Sequence, residues 1–331
     1  MKKIFIVNVP RTASDKQVYM QSFCEAWMAE GGAHVAGSKW RQYRLARHLM
    51  KMLALTGYAR RKADRAYVVC SRGAHLLKSS LPYTFSGEII PMLWDAWPDT
   101  WDTLVRDLQL LKCKTCFVTA SDVAHALSQR LPNVRFVHIP EGVDTNDYQA
   151  GPELTARHLD VFEMGRKHFY YHKKLMDGKL EDRHSFVYNA HPKAHKATFV
   201  YDQWNTYTDQ IADTRILISF PACMTNPKAK GNVDTLTIRY WEAMLSRCIM
   251  VGHCPQELID IVGYNPVVEA DFVDPCGQLE QILTHLPDYQ ALVDRNRQAA
   301  LTHAPWRVRM KTVFDALEDE GASSFILTGF R

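Results

Sequence analysis

The sequence lacks any long hydrophobic run. No stretch of about 18 consecutive apolar residues occurs in the chain of 331 residues, and a helix needs roughly 20 such residues to cross a bilayer. The opening residues Met1–Val7 are too short to be a secretory signal peptide, and they predict a buried strand instead. We therefore expect a cytoplasmic protein without a membrane-spanning helix.

Patterns that bind metal ions are also scarce. Of the eight cysteines, only Cys113 and Cys116 form a Cys-x-x-Cys pair, and no second pair or suitably spaced histidine accompanies them. Four histidines fall between positions 172 and 195, but without the regular two-turn spacing of a zinc enzyme. The scattered cysteines are typical of reduced thiols. We expect no metal site and no bound cofactor.

Charge is distributed unevenly along the chain. Residues 1–150 carry 20 Lys and Arg against 13 Asp and Glu, a net charge of +7, whereas residues 151–331 carry 20 against 23, a net charge of −3. Much of the excess lies near Trp40–Leu53, where basic and apolar residues alternate at helical spacing and predict a basic amphipathic helix. Such a helix is commonly the solvated face of a domain. Alternatively, it binds anionic lipid, a polyanionic acceptor or nucleic acid.

Strand and helix signals alternate through the whole chain. The predicted strands are Lys3–Val9, Ala66–Cys70, Gly87–Leu93, Thr115–Thr119, Arg135–Ile139, Leu159–Glu163, Ser185–Tyr188, Ala197–Tyr201, Ile216–Phe220, Cys248–Val251 and Val267–Glu269. The predicted helices are Asp15–Ala29, Ser121–Arg130 with Ser121 as its cap, Phe169–Met176, Thr237–Ser246, Pro255–Val262, Gln278–Leu286 and Arg307–Glu320. This alternation predicts parallel sheets covered by helices, in two series separated by the turn-rich stretch Pro140–Pro152.

Two acids, Asp234 and Glu242, stand eight positions apart. Asp234 precedes the predicted helix Thr237–Ser246, and Glu242 lies within it. A carboxylate early in a helix can bind ribose hydroxyls, and the helix N-terminus favours the negative charge of a diphosphate. The alternative interpretation is an ordinary amphipathic helix with one solvated acid.

This segment resembles the signature of retaining glycosyltransferases with the GT-B fold, in which Glu, seven residues and a second Glu precede Ala-Met-Ala. Glu242-Ala243-Met244 matches, whereas Asp234 replaces the first Glu and Ser246-Arg247-Cys248 departs from the usual residues. The resemblance implies an α/β protein of the GT-B class, with two Rossmann-like domains facing each other across a cleft.

The resemblance also implies a division of the chain. Residues 1–150 would form the acceptor-side domain and residues 151–306 the nucleotide-sugar domain. A C-terminal helix within 307–331 would pack back on the first domain. Ile139-Pro-Glu-Gly-Val-Asp144 is similar to the segment that ends the first domain in many such enzymes, with Glu141 in place of the usual Asn.

The segment Glu163-Met-Gly-Arg-Lys167 is similar to the Gly-Arg element of the second domain in these enzymes. The fixed donor fork of Arg166 suits a diphosphate whose charge grows as the leaving nucleotide departs. Its lysine partner is open among Lys167, Lys173 and Lys174, and we favour Lys173 or Lys174. The alternative interpretation is a set of surface basic residues after a strand.

Candidates in the first half are fewer. Pro10-Arg11-Thr12-Ala13-Ser14 stands where relatives have a Gly-Gly loop, so that Arg11 and Thr12 are candidates to contact acceptor or phosphate. Trp94-Asp95-Ala96-Trp97 occupies the place of a His-Asp pair close to the donor sugar, with Asp95 present and the histidine replaced.

The roles that the resemblance implies complete the expected site. Asp234 would lie near the donor sugar and Glu242 on the ribose. The donor-side candidates are Gly165, Lys174, Thr235, Leu236, Thr237, Arg239 and Glu141. Transfer of a glycosyl group from a nucleotide diphosphate sugar to a glycan or lipid-linked hydroxyl, with retention, would then need no protein base. Because no Asp-x-Asp loop occurs, Arg and Lys would replace a metal ion in neutralising charge.

Two other functions remain open. A nucleic-acid-modifying glycosyltransferase could use the basic first domain to hold DNA, although no DNA-binding motif occurs. A non-catalytic nucleotide-sugar-binding protein, or another enzyme of the same architecture such as an epimerase, is the third class. The function we favour is a glycosyltransferase of polysaccharide biosynthesis, in which Trp40–Leu53 faces an anionic membrane, as a peripheral contact, or the acceptor.

Overall fold

The chain folds into two compact units, described by a computed structural model over residues 3–9, 18–37, 44–56, 64–188 and 204–318. Unit 1 takes the described residues of Met1–Glu141, Ala229–Val233 and Trp306–Arg331. Unit 2 takes those of Gly142–Lys228 and Asp234–Pro305. Each unit is built on its own parallel sheet.

The sheet of unit 1 has six parallel strands within the described residues. They are β1 (Lys3–Val7), β2 (His34–Val35), β3 (Arg65–Arg72), β4 (Glu88–Trp94), β5 (Thr115–Val118) and β6 (Arg135–His138), in the order β2-β1-β3-β4-β5-β6. The two longest, β3 and β4, are almost continuously buried, as expected of strands covered on both faces. The order reverses between β1 and β3.

Five helices of unit 1 accompany these strands: α1 (Val18–Ala29), α2 (Arg44–Leu55), α3 (Leu76–Ser80), α4 (Trp101–Leu110) and α5 (Ser121–Arg130). The predicted cap of α5 is wrong. Ala120 occupies the N-cap position in an extended conformation, and Ser121 is the first helical residue. Among the helices of the described segments, none combines the length and apolarity that a bilayer span requires.

Unit 2 repeats the same design with five parallel strands in its described part. They are β7 (Leu159–Glu163), β8 (Phe186–Tyr188), β9 (Thr214–Ser219), β10 (Ile249–Gly252) and β11 (Val267–Glu269), in the order β11-β10-β9-β7-β8. The chain leaves β7 for β8 on one side and returns to β9 on the other. The strand order therefore reverses between β7 and β9. The predicted strand Ala197–Tyr201 lies outside the described residues.

The helices of this part of the chain are α6 (Phe169–Asp177), α7 (Trp204–Ala212), α8 (Ala222–Thr225), α9 (Pro227–Lys230), α10 (Ile238–Leu245), α11 (Gln256–Val262), α12 (Pro275–Thr284) and α13 (Leu286–His303). The sequence predicts a helix that ends at Leu286, but α13 begins there and continues for 18 residues. Pro287 explains the difference, because proline is well suited to the first turn of a helix, where its missing N–H has no intrahelical acceptor.

The last described helix, α14 (Trp306–Glu318), belongs to the core of unit 1. Trp306 packs edge-on against Phe23 of α1, with ring centroids 5.2 Å apart. Phe314 packs in the same way against Trp27, at 4.9 Å. Because Phe23, Trp27 and Trp306 are almost fully buried, this contact joins the last described helix to α1.

Candidate functional site

The loop after β7 lies at the point where the strand order of unit 2 reverses. Glu163 ends β7, and Met164–Lys167 lead to the start of α6. Gly165 has a φ of +82°, in the left-handed region that glycine adopts without steric cost. In open parallel sheets, ligands bind outside the carboxyl ends of the strands at such a reversal. The loop is therefore the primary candidate for a ligand site in unit 2.

Two cations occupy this loop. Arg166 is exposed, whereas the side chain of Lys167 is buried, with its ammonium 4.8 Å from the centre of the Tyr188 ring at the end of β8. Burial lowers the pKa of Lys167, and the nearby carboxylate of Glu163 partly offsets that effect. The loop thus combines a solvent-facing guanidinium with a partly desolvated ammonium.

Lys173 and Lys174 lie further along α6 and have other partners. Lys173 forms an ion pair with Asp177 one turn later, and both side chains are more than half exposed. The ammonium of Lys174 donates to the carbonyl oxygen of Val273 at 2.8 Å. Of the three lysines that the sequence left open, Lys167 is the one beside the end of β7.

Glu163 itself is buried behind the loop. Its side chain is about 2% exposed, and Oε2 lies 2.5 Å from Nδ1 of His172 on α6. The other oxygen, Oε1, is buried and has no hydrogen-bond partner among the described residues. Sequence reasoning treated Glu163 only as the start of a motif. Its position at the carboxyl end of a central strand is the signal that could have identified it.

Asp234, the first acid of the signature, lies beside His253 and Glu269. Nε2 of His253 is 3.5 Å from Oδ2 of Asp234, and its Nδ1 is 3.5 Å from Oε2 of Glu269. His253 follows β10 and Glu269 ends β11, so both lie at the carboxyl ends of their strands. All three side chains are partly exposed, at 29%, 38% and 57%. They form a polar, accessible cluster that the sequence only partly predicted.

The residues after Asp234 have protein partners. The hydroxyl of Thr235 donates to Oε2 of buried Glu257 at 3.0 Å, and the amide of Leu236 donates to the same oxygen at 2.9 Å. The backbone amides of Thr235, Leu236 and Thr237 are predicted to bind phosphates, and that of Leu236 donates to Glu257 instead. Thr237 is the N-cap residue of α10 and is half-buried, with no side-chain capping bond.

Glu242, the second acid, lies in the middle of α10 and faces inward. Its side chain is 2% exposed. The hydroxyl of Tyr148 donates to Oε1 at 3.1 Å, that of Tyr207 donates to Oε2 at 2.8 Å, and Nε of Arg239 lies 3.3 Å from Oε2. The sequence predicts a carboxylate available to a ribose near a helix start. The structure contains a buried carboxylate that is surrounded by donors.

One candidate of unit 1, Asp95, follows β4 and lies beside Arg72 at the end of β3. Nε of Arg72 donates to the hydroxyl of Tyr19 at 3.0 Å and lies 3.3 Å from Oδ2 of Asp95. Asp95 has a φ of +50°, a conformation that Asp tolerates better than most residues. Burial raises the pKa of Tyr19 to about 12; Arg72 opposes this shift, while Asp95 and Glu141 add to it.

Two acceptor-side candidates, Arg11 and Thr12, lie outside the described residues. Glu141 is half-buried, and its carbonyl oxygen accepts a hydrogen bond from Nη2 of Arg309 at 3.1 Å. In the described segments, no three His, Cys, Asp or Glu side chains are grouped so that they could hold a metal ion.

No protein-family model and no curated protein matches this sequence. Solved structures do match it. Sucrose-phosphate synthase from Thermosynechococcus elongatus has a TM-score of 0.59 at 9% identity, over 98% of this chain and 100% of that one. HepE from Anabaena, solved with UDP and glucose, has a TM-score of 0.58 at 10% identity, over 96% of this chain and 100% of that one. The fold is GT-B.

A third structure of the same kind extends the comparison. A glycosyltransferase from Rickettsia africae ESF-5 has a TM-score of 0.57 at 11% identity, over 98% of this chain and 100% of that one. At such identities the likeness shows the fold. The GT-B class accounts for the two parallel sheets of this chain, one in each unit.

Proposed function

We propose that the protein is a glycosyltransferase that uses a nucleotide diphosphate sugar as donor. The observation that carries this proposal is the Gly165–Lys167 loop, which brings Arg166 and Lys167 to the reversal point of the unit 2 sheet. Dense positive charge at the carboxyl ends of parallel strands is suited to a diphosphate. Support comes from HepE, a protein of the same fold that was solved with UDP-glucose.

The proposed reaction is transfer with retention of configuration. The acceptor hydroxyl oxygen bonds to the anomeric carbon of the sugar as the bond from that carbon to the diphosphate oxygen breaks. The proton of the hydroxyl passes to the departing phosphate, so that no side chain has to act as a base. The growing negative charge is neutralised by Arg166 and Lys167, which act in place of a divalent cation.

Asp234 is proposed to bind hydroxyls of the donor sugar. It is accessible, and His253 lies between it and Glu269, so that its carboxylate is held on one side while remaining partly exposed. A carboxylate in this state is a good acceptor for sugar hydroxyls. In unit 1, the Tyr19–Arg72–Asp95 cluster is proposed as a contact for acceptor or sugar.

The acceptor is proposed to be a glycan or a lipid-linked molecule at an anionic membrane surface, in polysaccharide assembly. Leu49, Met52 and Leu53 of α2 are 56%, 62% and 43% exposed, at the i, i+3, i+4 spacing of one helix face. The surrounding sequence is rich in Lys and Arg. An exposed apolar face beside positive charge is typical of helices that lie on anionic lipid.

The donor assignment is tested by calorimetric titration with UDP-, GDP- and dTDP-sugars, together with an assay for release of the nucleotide. We expect the wild-type protein to bind and turn over at least one donor. Arg166→Ala should lower kcat/KM by about 100-fold, because it removes a charge that stabilises the leaving group. Arg183→Ala is the matched control, since this arginine pairs with Glu280 on the surface of the same unit.

Three results would redirect the proposal. Neither binding nor turnover with any donor would reject it. Donor binding without turnover across many acceptors would indicate a non-catalytic binding protein. DNA binding that weakens steeply with salt would indicate a nucleic-acid acceptor, since phosphate contacts release counterions.

A further inference from the structure

The carboxylate of Glu242 has no room for a ligand. Its two oxygens accept hydrogen bonds from Tyr148 and Tyr207 at 3.1 and 2.8 Å, and its side chain is 2% exposed. A ribose hydroxyl could reach it only by displacing a buried tyrosine. Such a displacement would leave a buried hydroxyl group unpaired, which is costly.

Arg239 lies one helical turn before Glu242 and connects it to the loop after β7. Its Nε lies 3.3 Å from Oε2 of Glu242, and its Nη1 donates to the carbonyl oxygen of Met164 at 2.7 Å. Its Nη2 lies 3.2 Å from the position that a Cβ would occupy at Gly165. The guanidinium is therefore held along one edge by Glu242 and packed against the loop along the other.

Charges in this cluster are balanced. Burial raises the pKa of Tyr148 and of Tyr207 well above the ordinary value, so both remain neutral donors. Burial alone would lower the pKa of Arg239, but Tyr207 and Glu242 raise it overall, and the guanidinium stays charged. One anion, one cation and two neutral donors make a charge-balanced buried network, in which Nε of Arg239 faces Glu242 as an ion pair without a hydrogen bond among the described residues. Removing any charged member would leave a buried charge without its counterion.

Glycine at 165 gives this network access to the loop surface. A Cβ at 165 would lie 3.2 Å from Nη2 of Arg239, and the Arg239 side chain is 25% exposed. A diphosphate bound at this loop would be within reach of the guanidinium groups of both Arg166 and Arg239.

We infer that Glu242 is a positioning residue that holds Arg239 beneath Gly165, and that Arg239, not Glu242, supplies the contact from α10 to the donor, at its diphosphate. This inference rests on the proposed function. It reverses the roles that the resemblance implies, in which Glu242 binds the ribose.

The two assignments are separated by measuring affinity for UDP, 2′-deoxy-UDP and uridine by calorimetry, with GDP, 2′-deoxy-GDP and guanosine as a second set. If Glu242 binds the ribose, the ratio of the affinities for UDP and 2′-deoxy-UDP should change when Glu242 is replaced. A positioning residue would leave that ratio unchanged while lowering both affinities. If Arg239 binds the diphosphate, the ratio of the affinities for UDP and uridine should change when Arg239 is replaced.

We expect Glu242→Gln to weaken the binding of UDP and of 2′-deoxy-UDP by the same factor, about 10-fold, because it removes the ion pair that holds Arg239. Arg239→Met should remove most of the preference for UDP over uridine, and Arg239→Lys should restore part of it. The double variant should bind UDP no more weakly than Arg239→Met alone, because Glu242 acts through Arg239. If Glu242→Gln proves unstable, Tyr148→Phe provides a milder disturbance with the same expected pattern.

Two outcomes would overturn the inference in different ways. If Glu242→Gln abolishes the discrimination between UDP and 2′-deoxy-UDP while Arg239→Met keeps the preference for UDP over uridine, Glu242 contacts the ribose and only the inference is lost. If the wild-type protein binds no nucleoside diphosphate of either set, the proposed function fails and the inference fails with it.

Discussion

The imidazole of His172 lies against the buried carboxylate of Glu163, with Nδ1 2.5 Å from Oε2. The second oxygen of Glu163 has no hydrogen-bond partner among the described residues. The two side chains join β7 to α6 directly behind the Gly165–Lys167 loop. Their pairing therefore supports the backbone that presents the two cations of the loop.

His172→Ala should destabilise the protein by about 3 kcal/mol, because it leaves a buried carboxylate without its partner. Urea unfolding measures the change. The matched control is His158→Ala, since His158 pairs with Asp213 at the surface, where its side chain is 87% exposed. The control should change the unfolding free energy by no more than about 0.5 kcal/mol. Equal losses in both variants would contradict a special role for the buried pair.

Gly165→Ala tests the close approach of Arg239 to the loop. Gly165 and Gly263 have φ of +82° and +80°, so a methyl group strains both backbones, by about 1 kcal/mol. At Gly263 nothing lies within 4 Å of the new Cβ, whereas at Gly165 it lies 3.2 Å from Nη2 of Arg239. We expect Gly165→Ala alone to weaken UDP binding. Equal effects of the two variants on UDP affinity would exclude a contribution from this contact.

Lys167 and Lys173 are expected to differ in their contribution to kcat/KM. Lys167→Met should lower kcat/KM for the donor by about 10-fold or more, because a partly desolvated ammonium beside the loop stabilises the leaving phosphate. Lys173→Met should have little effect, since Lys173 is exposed and paired with Asp177. Steady-state kinetics of both variants show which of the two lysines assists departure of the phosphate. A large loss in Lys173→Met alone would restore the assignment that the sequence favours.

Alkaline pH should reduce stability through Tyr19. Its pKa is about 12 in the folded protein and close to 10 when unfolded, so the neutral form favours folding. The stabilisation is complete below pH 10 and is lost as pH rises through 12, because the unfolded chain ionises first. Between pH 9 and 11, wild-type stability should fall by about 1 kcal/mol more than that of Tyr19→Phe. If the stability of the wild-type protein and of Tyr19→Phe fell equally over this pH range, the expectation would be wrong.

Replacement of Leu49, Met52 and Leu53 by serine should release the protein from anionic vesicles. We expect the wild-type protein to sediment with vesicles that contain anionic lipid, and to do so less in high salt. The triple variant should bind at least roughly 100-fold more weakly, because burial of three apolar side chains is lost. Circular dichroism checks that it remains folded, which these exposed positions favour. If the wild-type protein does not sediment with anionic vesicles, the proposed membrane contact is wrong.

Local patterns predicted the elements of this fold well where an apolar run has clear ends. The predicted strand Leu159–Glu163 agrees with β7 at both ends, and Arg135–Ile139 differs from β6 by one residue. The helix α13 was missed because Pro287 looks like a helix end when only its neighbours are considered. The cap at Ser121 was misplaced by one residue, an error that sequence alone rarely avoids.

The interior of the site could not be predicted in this way. The partners of Glu242 are Tyr148 and Tyr207, which lie 94 and 35 positions away in the sequence. Periodicity indicates that a residue lies on a helix, but not which distant side chains surround it. Glu257 was missed for the same reason, because its bonds to Thr235 and Leu236 cross 22 and 21 positions.

The helix α14 determines when unit 1 can be completed during synthesis. Its apolar residues Trp306, Met310 and Val313 share a core with Phe23 and Trp27 near the start of the chain. The ribosome therefore makes all of unit 2 before it supplies the helix that covers α1. A nascent chain would carry an open hydrophobic face through most of its translation, where chaperones bind and where aggregation begins. Separate expression of the first 141 residues would keep the chain in that unfinished state.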